Sequence, residues 1–274
     1  MNKYLGIHGH RYGDIFMGLA AFGIIKKYDP DCEITIVING DYRDCAPFFL
    51  AQKIIDKIYI TNNPVGGFDE IDKQWIIDNK FTHVFDPLAD HDHSSPWWFY
   101  RNQPQELAYI HGLPIEQHSG KLNLDKWFKS DPNFKNYVAF HPFAGAYDPN
   151  NKKTLTKEFA QKIVNSIRKL SYEVLQLGGP NEPGLDGVLK LPTDYFVSGK
   201  NLLSCKALIV GDSGFNWMAS CYNFPVVGLY SYEYYGPDYV KNIQPINPNA
   251  IYLQERNVNQ IELDLVISKL KMVL

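Results

Sequence analysis

The sequence predicts an α/β fold made of two doubly wound halves. Two observations favour it. Short apolar strands alternate with helical segments, as in parallel βαβ units, and the pattern restarts near Tyr137 after a polar stretch over 125–135. With 274 residues and a formal charge of −3, the chain is long enough to bury a core in each of two domains. We therefore expect domains over 1–130 and 131–274.

In the first half, apolar runs bounded by turn residues indicate four strands, and two further segments are typical of helices. Asp14 begins the first helix. Asp29-Pro30 ends it, because the residue before a proline disfavours helical backbone. The predicted strands are Tyr4–His8, Glu33–Ile38, Lys57–Thr61 and Thr82–Phe85, and the predicted helices are Asp14–Tyr28 and Ala46–Ala51.

In the second half, the segment 156–170 places its apolar residues on one stripe, which is typical of an amphipathic helix. Further helices are predicted after Gly214 and from Asn259 onward. Four apolar runs indicate strands. They are Tyr137–His141, Tyr172–Leu177, Ala207–Val210 and Val226–Leu229.

The turn between the third and fourth of these strands is the most informative segment. Gly211, Asp212, Ser213 and Gly214 follow an apolar strand and precede a helix. Such a turn aims the N–H groups of a helix N-terminus into the crevice at the strand ends, where the helix dipole favours a diphosphate. In the alternative interpretation, Asp212 or Ser213 only caps the helix.

A second segment, 91–101, is aromatic and rich in turn residues, and we expect a loop that borders a cleft. His91 and His93 alternate with aspartates, which is a plausible ligand set for a metal, but no further ligand cluster completes it and we predict no metal site. Trp97, Trp98 and Arg101 suit a flat ring such as a sugar or a nucleobase. Packing of the two tryptophans in the core is the alternative.

Four motifs, taken in order, resemble glycosyltransferase family 9, the heptosyltransferase-like enzymes. They are Gly13-Asp14, then His141-Pro-Phe-Ala-Gly145 with Lys152, then Gly178-Gly179 with Glu182, and Gly211-Asp212-Ser213-Gly214. The resemblance implies the GT-B fold, in which two Rossmann-like domains face a cleft and the last helix packs back toward the first domain. It also implies an acceptor-side first domain and a second domain that binds the nucleotide-sugar.

The resemblance also implies roles for single residues. Asp14 matches the catalytic base, Lys152 the lysine on the donor phosphates and Glu182 the glutamate on the donor ribose. On the donor side it adds the turn residues Asp212, Ser213 and Gly214, with Gly145 and Gly178. On the acceptor side we expect Arg11, which precedes Asp14, and the loop residues His91, His93, Trp97, Trp98 and Arg101.

Two positions and one segment depart from the family pattern. Trp217 stands where the family usually has a histidine, and Thr154 stands where it commonly has a tryptophan. The segment between Gly199 and Asp212 is short. These departures leave the nucleotide base open.

The predicted function is transfer of a sugar from a nucleotide-diphosphate sugar to a hydroxyl of a glycan or glycolipid, with Asp14 as general base. No metal and no cofactor besides the nucleotide-sugar co-substrate are expected, and the class of sugar stays open. Three alternatives also stay open: a phage-type enzyme that glycosylates a modified base in DNA, a sugar-nucleotide epimerase, and a nucleotide-sugar binder without catalysis.

Other classes are disfavoured by missing motifs. No Gly-x-Gly-x-x-Gly follows a strand, and no Walker A lysine motif or Gly-x-Ser-x-Gly elbow occurs. No apolar run approaches the roughly 18 residues that cross a bilayer. The four scattered cysteines are expected to be buried and reduced, which favours a cytoplasmic protein. The charge balance gives no overall footprint for nucleic acid.

Overall fold

The computed structural model describes residues 1–7, 12–62, 69–85, 128–143, 152–191, 194–237, 240–241 and 243–274. The chain forms two compact units, Met1–Trp127 and Phe128–Leu274. Each unit is built on a sheet of parallel strands.

The first unit contains a parallel sheet with the strand order β3-β2-β1-β4. From β1 the chain proceeds to β2 and β3 on one side of the sheet, and then returns to β4 on the other side of β1. The elements are β1 (Lys3–Ile7), α1 (Tyr12–Tyr28), β2 (Glu33–Asn39), α2 (Ala46–Ala51), β3 (Lys57–Thr61), α3 (Glu70–Asn79) and β4 (His83–Phe85).

Apolar side chains from the strands and the first two helices form the core of this unit. Leu5 and Val37 are fully buried in neighbouring strands. Phe16 of α1 packs against Phe48 and Phe49 of α2, with ring centroids 5.6 and 5.3 Å apart. The aromatic cluster explains how the short helix α2 is held against a much longer one, since tilted ring pairs add to the burial of apolar area.

The second unit contains a six-stranded parallel sheet with the order β10-β9-β8-β5-β6-β7. The elements are β5 (Tyr137–His141), α4 (Lys157–Lys169), β6 (Glu173–Gln176), β7 (Leu189–Lys190), α5 (Tyr195–Leu202), β8 (Leu208–Val210), α6 (Gly214–Cys221), β9 (Val226–Ser231), α7 (Tyr232–Tyr235), β10 (Ala250–Glu255) and α8 (Leu263–Val273).

The strand order places a topological switch point between β5 and β8. From β5 the chain proceeds to β6 and β7 on one side, and then returns to β8 on the other side of β5. Ligands of open α/β sheets bind outside the carboxyl ends of the strands at such a point. The segments after His141 and after Val210 are therefore the first place to look for a site in this unit.

The last helix packs within its own unit. Val266 and Leu270 of α8 are fully buried against Ile163 and Ile167 of the amphipathic helix α4. The predicted return of this helix toward the first domain stays a prediction.

Candidate functional site

Three chain segments come together at the carboxyl ends of β5, β6 and β8. His141 is the last residue of β5, Glu182 lies in the turn after β6, and Ser213 lies in the turn after β8. A hydrogen bond and a contact of 3.7 Å join the three side chains. Since β5 lies between β6 and β8 in the sheet, its terminal side chain reaches both neighbours.

Ser213 occupies the N-cap position of α6 without acting as a side-chain cap. Its backbone is extended (φ −156°, ψ 163°), and its hydroxyl makes no hydrogen bond to the first N–H groups of the helix. Instead, Oγ lies 3.0 Å from Nδ1 of His141. A serine at this position ordinarily accepts a bond from the second or third helical N–H. The helix N-terminus is thus left without its usual side-chain acceptor, so the capping alternative fails for Ser213.

His141 is buried at the centre of the site and is only 4% exposed. Its Nε2 lies 3.7 Å from Oε1 of Glu182, which is longer than a hydrogen bond but close enough for electrostatic attraction. The ring meets Phe215 of α6 edge-on, with centroids 5.1 Å apart. Both ring nitrogens therefore face polar side chains, while the ring itself is packed against an aromatic wall.

Glu182 is buried with its carboxylate folded over Gly178. The residue is 6% exposed, and neither carboxylate oxygen has a hydrogen-bond partner among the residues that the structure describes. Gly178 has a φ of +135°, and a Cβ atom there would overlap the Glu182 carboxylate. Glycine is therefore required at this position both for the backbone and for the space that the carboxylate fills.

The charge on Glu182 is retained despite this burial. Burial raises the pKa of the Glu182 carboxyl, but His141, the backbone of Gly179 and Lys190 together hold that pKa below its ordinary value. The Lys190 ammonium donates to the backbone carbonyl of Glu182 at 2.7 Å. A buried, ionised carboxylate with two unpaired oxygens has the capacity to accept hydrogen bonds from a ligand.

Two lysines flank the turn after β8. Lys153 lies 3.6 Å from Oδ2 of Asp212 and 4.9 Å from the ring centroid of Tyr234. Lys152 forms an ion pair with Glu233 of α7, and Arg256 also approaches Glu233 at 3.4 Å. Positive charge is therefore available beside the turn, held in place by carboxylates.

No protein-family model and no curated protein matches the sequence. The glycosyl transferase family 9 structure from Veillonella parvula DSM 2008 matches with a TM-score of 0.70 at 15% identity, over 99% of this chain and 97% of that one. ADP-heptose LPS heptosyltransferase II of E. coli matches with a TM-score of 0.72 at 13% identity, over 99% and 98%. E. coli heptosyltransferase WaaC with ADP matches with a TM-score of 0.70 at 13% identity, over 99% and 100%. The chain has the GT-B fold of these proteins. The predicted fold class is thereby confirmed, and at such low identity the likeness is one of fold.

Some of the site residues predicted from the sequence lie within the described part of the structure, and others lie outside it. Asp14 lies in the first turn of α1, and its side chain is outside the described part of the structure. Glu182, Ser213, Gly178, Gly214 and Asp212 are brought to the same edge of the second sheet, with Lys152 beside them. The predicted site residues that lie outside the described residues are Arg11, His91, His93, Trp97, Trp98, Arg101 and Gly145.

Two of the three departures from the family pattern are buried here. Trp217 is a buried residue of α6, and Thr154 is 1% exposed in the segment before α4. The Thr154 carbonyl accepts a hydrogen bond from Nδ2 of Asn259 at 3.1 Å. The same Asn259 side chain accepts from the backbone N–H of Thr156. This contact fastens the start of α4 to the segment before α8.

His141, Lys153 and Glu233 were not among the residues that sequence reasoning placed in the site. His141 ends a predicted strand within the His-Pro-Phe-Ala-Gly motif, so its position at a strand end was available as a signal. Its contacts with Ser213 and Glu182 could not be predicted in this way, because these residues lie 72 and 41 positions further along the chain. Lys153 and Glu233 carried no distinguishing signal among solvated charges.

Within the described residues, no group of three or more His, Cys, Asp or Glu side chains is placed to hold a metal ion, and no helix has the length and apolarity that a membrane crossing needs. All four cysteines are buried free thiols. Burial raises their pKa values, to about 11 for Cys32 and about 12 for Cys205 and Cys221, which makes them poor nucleophiles.

Proposed function

We propose that this protein is a glycosyltransferase that moves a sugar from a nucleoside-diphosphate sugar to a hydroxyl of a glycan or glycolipid. One observation carries the proposal. At the switch point of the second sheet, a helix N-terminus that Ser213 leaves uncapped lies beside the buried carboxylate of Glu182, which is unpaired among the described residues. A nucleoside diphosphate offers a match to both, with anionic oxygens for the helix and a ribose diol for the carboxylate.

The turn at 211–214 serves the leaving diphosphate. As the bond to the sugar breaks, negative charge grows on the phosphate oxygens, and preorganised N–H groups stabilise it without reorganisation. The α6 dipole adds positive potential at the same place. Lys152 and Lys153 bring two cations beside the turn, and a phosphate would compete with Glu233 and Asp212 for them.

Glu182 serves the ribose. Its two oxygens are able to accept hydrogen bonds, and among the described residues they are buried without partners. Two ribose hydroxyls supply two donors. Leaving a buried carboxylate unpaired is costly, so a diol that satisfies it gains affinity relative to an analogue that lacks the hydroxyls.

Asp14 serves the acceptor as general base. Its place in the first turn of α1 is where the resemblance expects the residue that removes the proton of the attacking hydroxyl. A positioned carboxylate typically contributes about 10²–10⁴-fold to the rate of such a step. The E. coli heptosyltransferase II that shares this fold is named for an LPS acceptor, which favours a glycan or glycolipid over DNA as the acceptor class here.

Donor binding is tested by calorimetry of the full chain with ADP, GDP, UDP and CDP. We expect at least one of them to bind, and Glu182→Gln to weaken it by about tenfold or more, the scale of a hydrogen bond to a charged group. The same substitution should change the affinity for the 2′,3′-dideoxy form by less than about threefold. Glu173→Gln, an exposed glutamate at the start of β6, is the matched control. Absence of binding by all four nucleotides contradicts the proposal.

Catalysis is tested by the Asp14→Asn variant. We expect turnover to fall by about a hundredfold or more with donor affinity unchanged, because a base acts in the transition state. Asp31→Asn, at an exposed aspartate, is the control. Donor consumption without any acceptor, retained in Asp14→Asn, would instead indicate an epimerase or hydrolase.

A further inference from the structure

His141 is a buried histidine to which the proposed chemistry gives no role. It ends β5, beside the switch point, and contacts both halves of the donor site. Its Nδ1 is hydrogen-bonded to Ser213 Oγ at 3.0 Å, and its Nε2 faces Glu182 Oε1 at 3.7 Å. One imidazole therefore links the turn proposed to bind the diphosphate to the carboxylate proposed to bind the ribose.

We propose that His141 is a positioning residue for the nucleotide donor. It holds the Ser213 hydroxyl away from the N-terminus of α6, and it orients the Glu182 carboxylate toward the ribose. The inference rests on the proposed function and deepens it, because it assigns the preparation of both donor subsites to a side chain that touches neither the diphosphate nor the sugar.

The first half of the inference concerns competition at the helix N-terminus. A serine at the N-cap is among the residues that accept best from the first helical N–H groups. Those N–H groups are also the donors that a phosphate needs. In the absence of the His141 bond, rotation of the Ser213 hydroxyl would fill the anion position with its own oxygen. The observed bond to Nδ1 keeps that position open.

The second half concerns the orientation of Glu182. Within the described part of the chain, the carboxylate has no hydrogen-bond partner. Two features favour its orientation. Gly178 has no side chain and leaves room for the carboxylate, and the His141 ring attracts the carboxylate at Nε2. The ring is fixed in turn by its bond to Ser213 and by the edge-on contact with Phe215. A carboxylate that is oriented before the ligand arrives loses less conformational entropy on binding, which favours affinity.

Two conservative variants separate the two halves. The amide of asparagine overlays Nδ1 of histidine, so His141→Asn keeps a partner for Ser213 and loses the contact with Glu182. The amide of glutamine reaches the position of Nε2, so His141→Gln keeps the contact with Glu182 and releases Ser213. Calorimetry measures the affinity of each variant for the nucleoside diphosphate that the wild-type protein binds most tightly, and for its 2′,3′-dideoxy form.

We expect His141→Gln to weaken both nucleotides by about tenfold, since the freed serine competes for the helix N–H groups. Ser213→Ala introduced into that variant should recover most of the lost affinity, because the competing oxygen is gone. His141→Asn should bind the dideoxy form within about threefold of wild type and the ribose form about tenfold more weakly. A general loss of structure does not produce this pattern of rescue.

His83→Asn, at a histidine of the first unit that stacks on Tyr4, is the control and should leave both affinities unchanged. Circular dichroism confirms that each variant is folded. Wild-type affinity in folded His141→Gln, or a further loss when Ser213→Ala is added to it, overturns the inference while leaving the proposed function standing. Failure of the wild-type protein to bind any nucleoside diphosphate removes the proposed function and the inference with it.

Discussion

Gly178 has a backbone conformation and a neighbour that both exclude a side chain. Its φ is +135°, and a Cβ atom would overlap the Glu182 carboxylate. We expect Gly178→Ala to lower the free energy of unfolding by about 1–3 kcal/mol, the usual cost of a strained backbone position. It should also weaken nucleotides that carry a ribose diol, since Glu182 must move.

The adjacent glycine provides the control for this prediction. Among the described residues, no atom lies within 4 Å of a Cβ added at Gly179, and Gly179 has no positive φ. Gly179→Ala should therefore change the free energy of unfolding by less than about 0.5 kcal/mol. Denaturant unfolding of the two variants checks both values, and equal losses would show that the Glu182 contact does not constrain position 178.

Glu182 also predicts a dependence of stability on pH. The pKa of its carboxyl group is lower in the folded protein than in the unfolded chain, where the pKa of a glutamate is about 4.3. Between the folded and the unfolded pKa, the unfolded state binds more protons than the folded state. The charged Glu182 therefore stabilises the fold above the unfolded pKa, and this contribution is lost as the pH falls through the folded pKa. The difference in unfolding free energy, wild type minus Glu182→Gln, should decrease between pH 6 and pH 3. A difference that stays constant contradicts the assigned shift.

At this scale the motifs indicated some of the residues that meet, but they indicated neither His141 nor the contacts that it makes. Glu182, Ser213 and Gly178 could be placed from their motifs, since each follows a predicted strand. The role of Ser213 was inferred less well, because a serine before a helix ordinarily caps it. The bond to His141 that prevents capping depends on strand neighbours, and the order of strands in a sheet is not written in local sequence.

Among the elements, some strands were predicted with their observed bounds, and several elements were missed. Lys57–Thr61 and Tyr137–His141 have the bounds that were expected. Helix α3 was missed because Ile71 and Ile77 are exposed and give no buried stripe. Helix α5 was missed because it contains Gly199, and glycine is unfavourable inside a helix. A Cβ atom at Gly199 would come into close contact with Sδ of Met218.

Helix α7 carries a prediction about the lysines beside the turn. Glu233 holds Lys152 in an ion pair, so a phosphate must compete with that carboxylate for the lysine. We expect Lys152→Ala to weaken a nucleoside diphosphate and Glu233→Gln to strengthen it, in each case by less than about tenfold because the pair is exposed to solvent. Calorimetry of the two single variants and the double variant measures both effects.

The double variant decides whether Glu233 acts through Lys152. If it does, Glu233→Gln has no effect once Lys152 is alanine. Glu70→Gln, in the exposed Lys73–Glu70 pair of the first unit, is a control for the loss of one surface charge. A gain in affinity in the Glu70 variant would show that net charge, and not the release of Lys152, is responsible.

For the whole molecule, the proposed mechanism predicts activity without a divalent ion. Helix N–H groups and lysines supply the stabilisation that a metal provides in other transferases. Turnover should therefore persist in excess EDTA at no less than about half of its starting value, because none of these groups is removed by a chelator. Loss of activity in EDTA and recovery with a divalent ion would contradict this and return attention to His91 and His93.

The central claim is that the turn after β8 and the carboxylate after β6 form one nucleotide site. A crystal structure of the full chain with its tightest nucleoside diphosphate tests it directly. We predict diphosphate oxygens at hydrogen-bond distance, about 2.7–3.2 Å, from N–H groups within 213–215, and ribose hydroxyls at the same distance from Glu182. A nucleotide bound elsewhere in the protein, with the 211–214 turn and Glu182 untouched, would contradict the account.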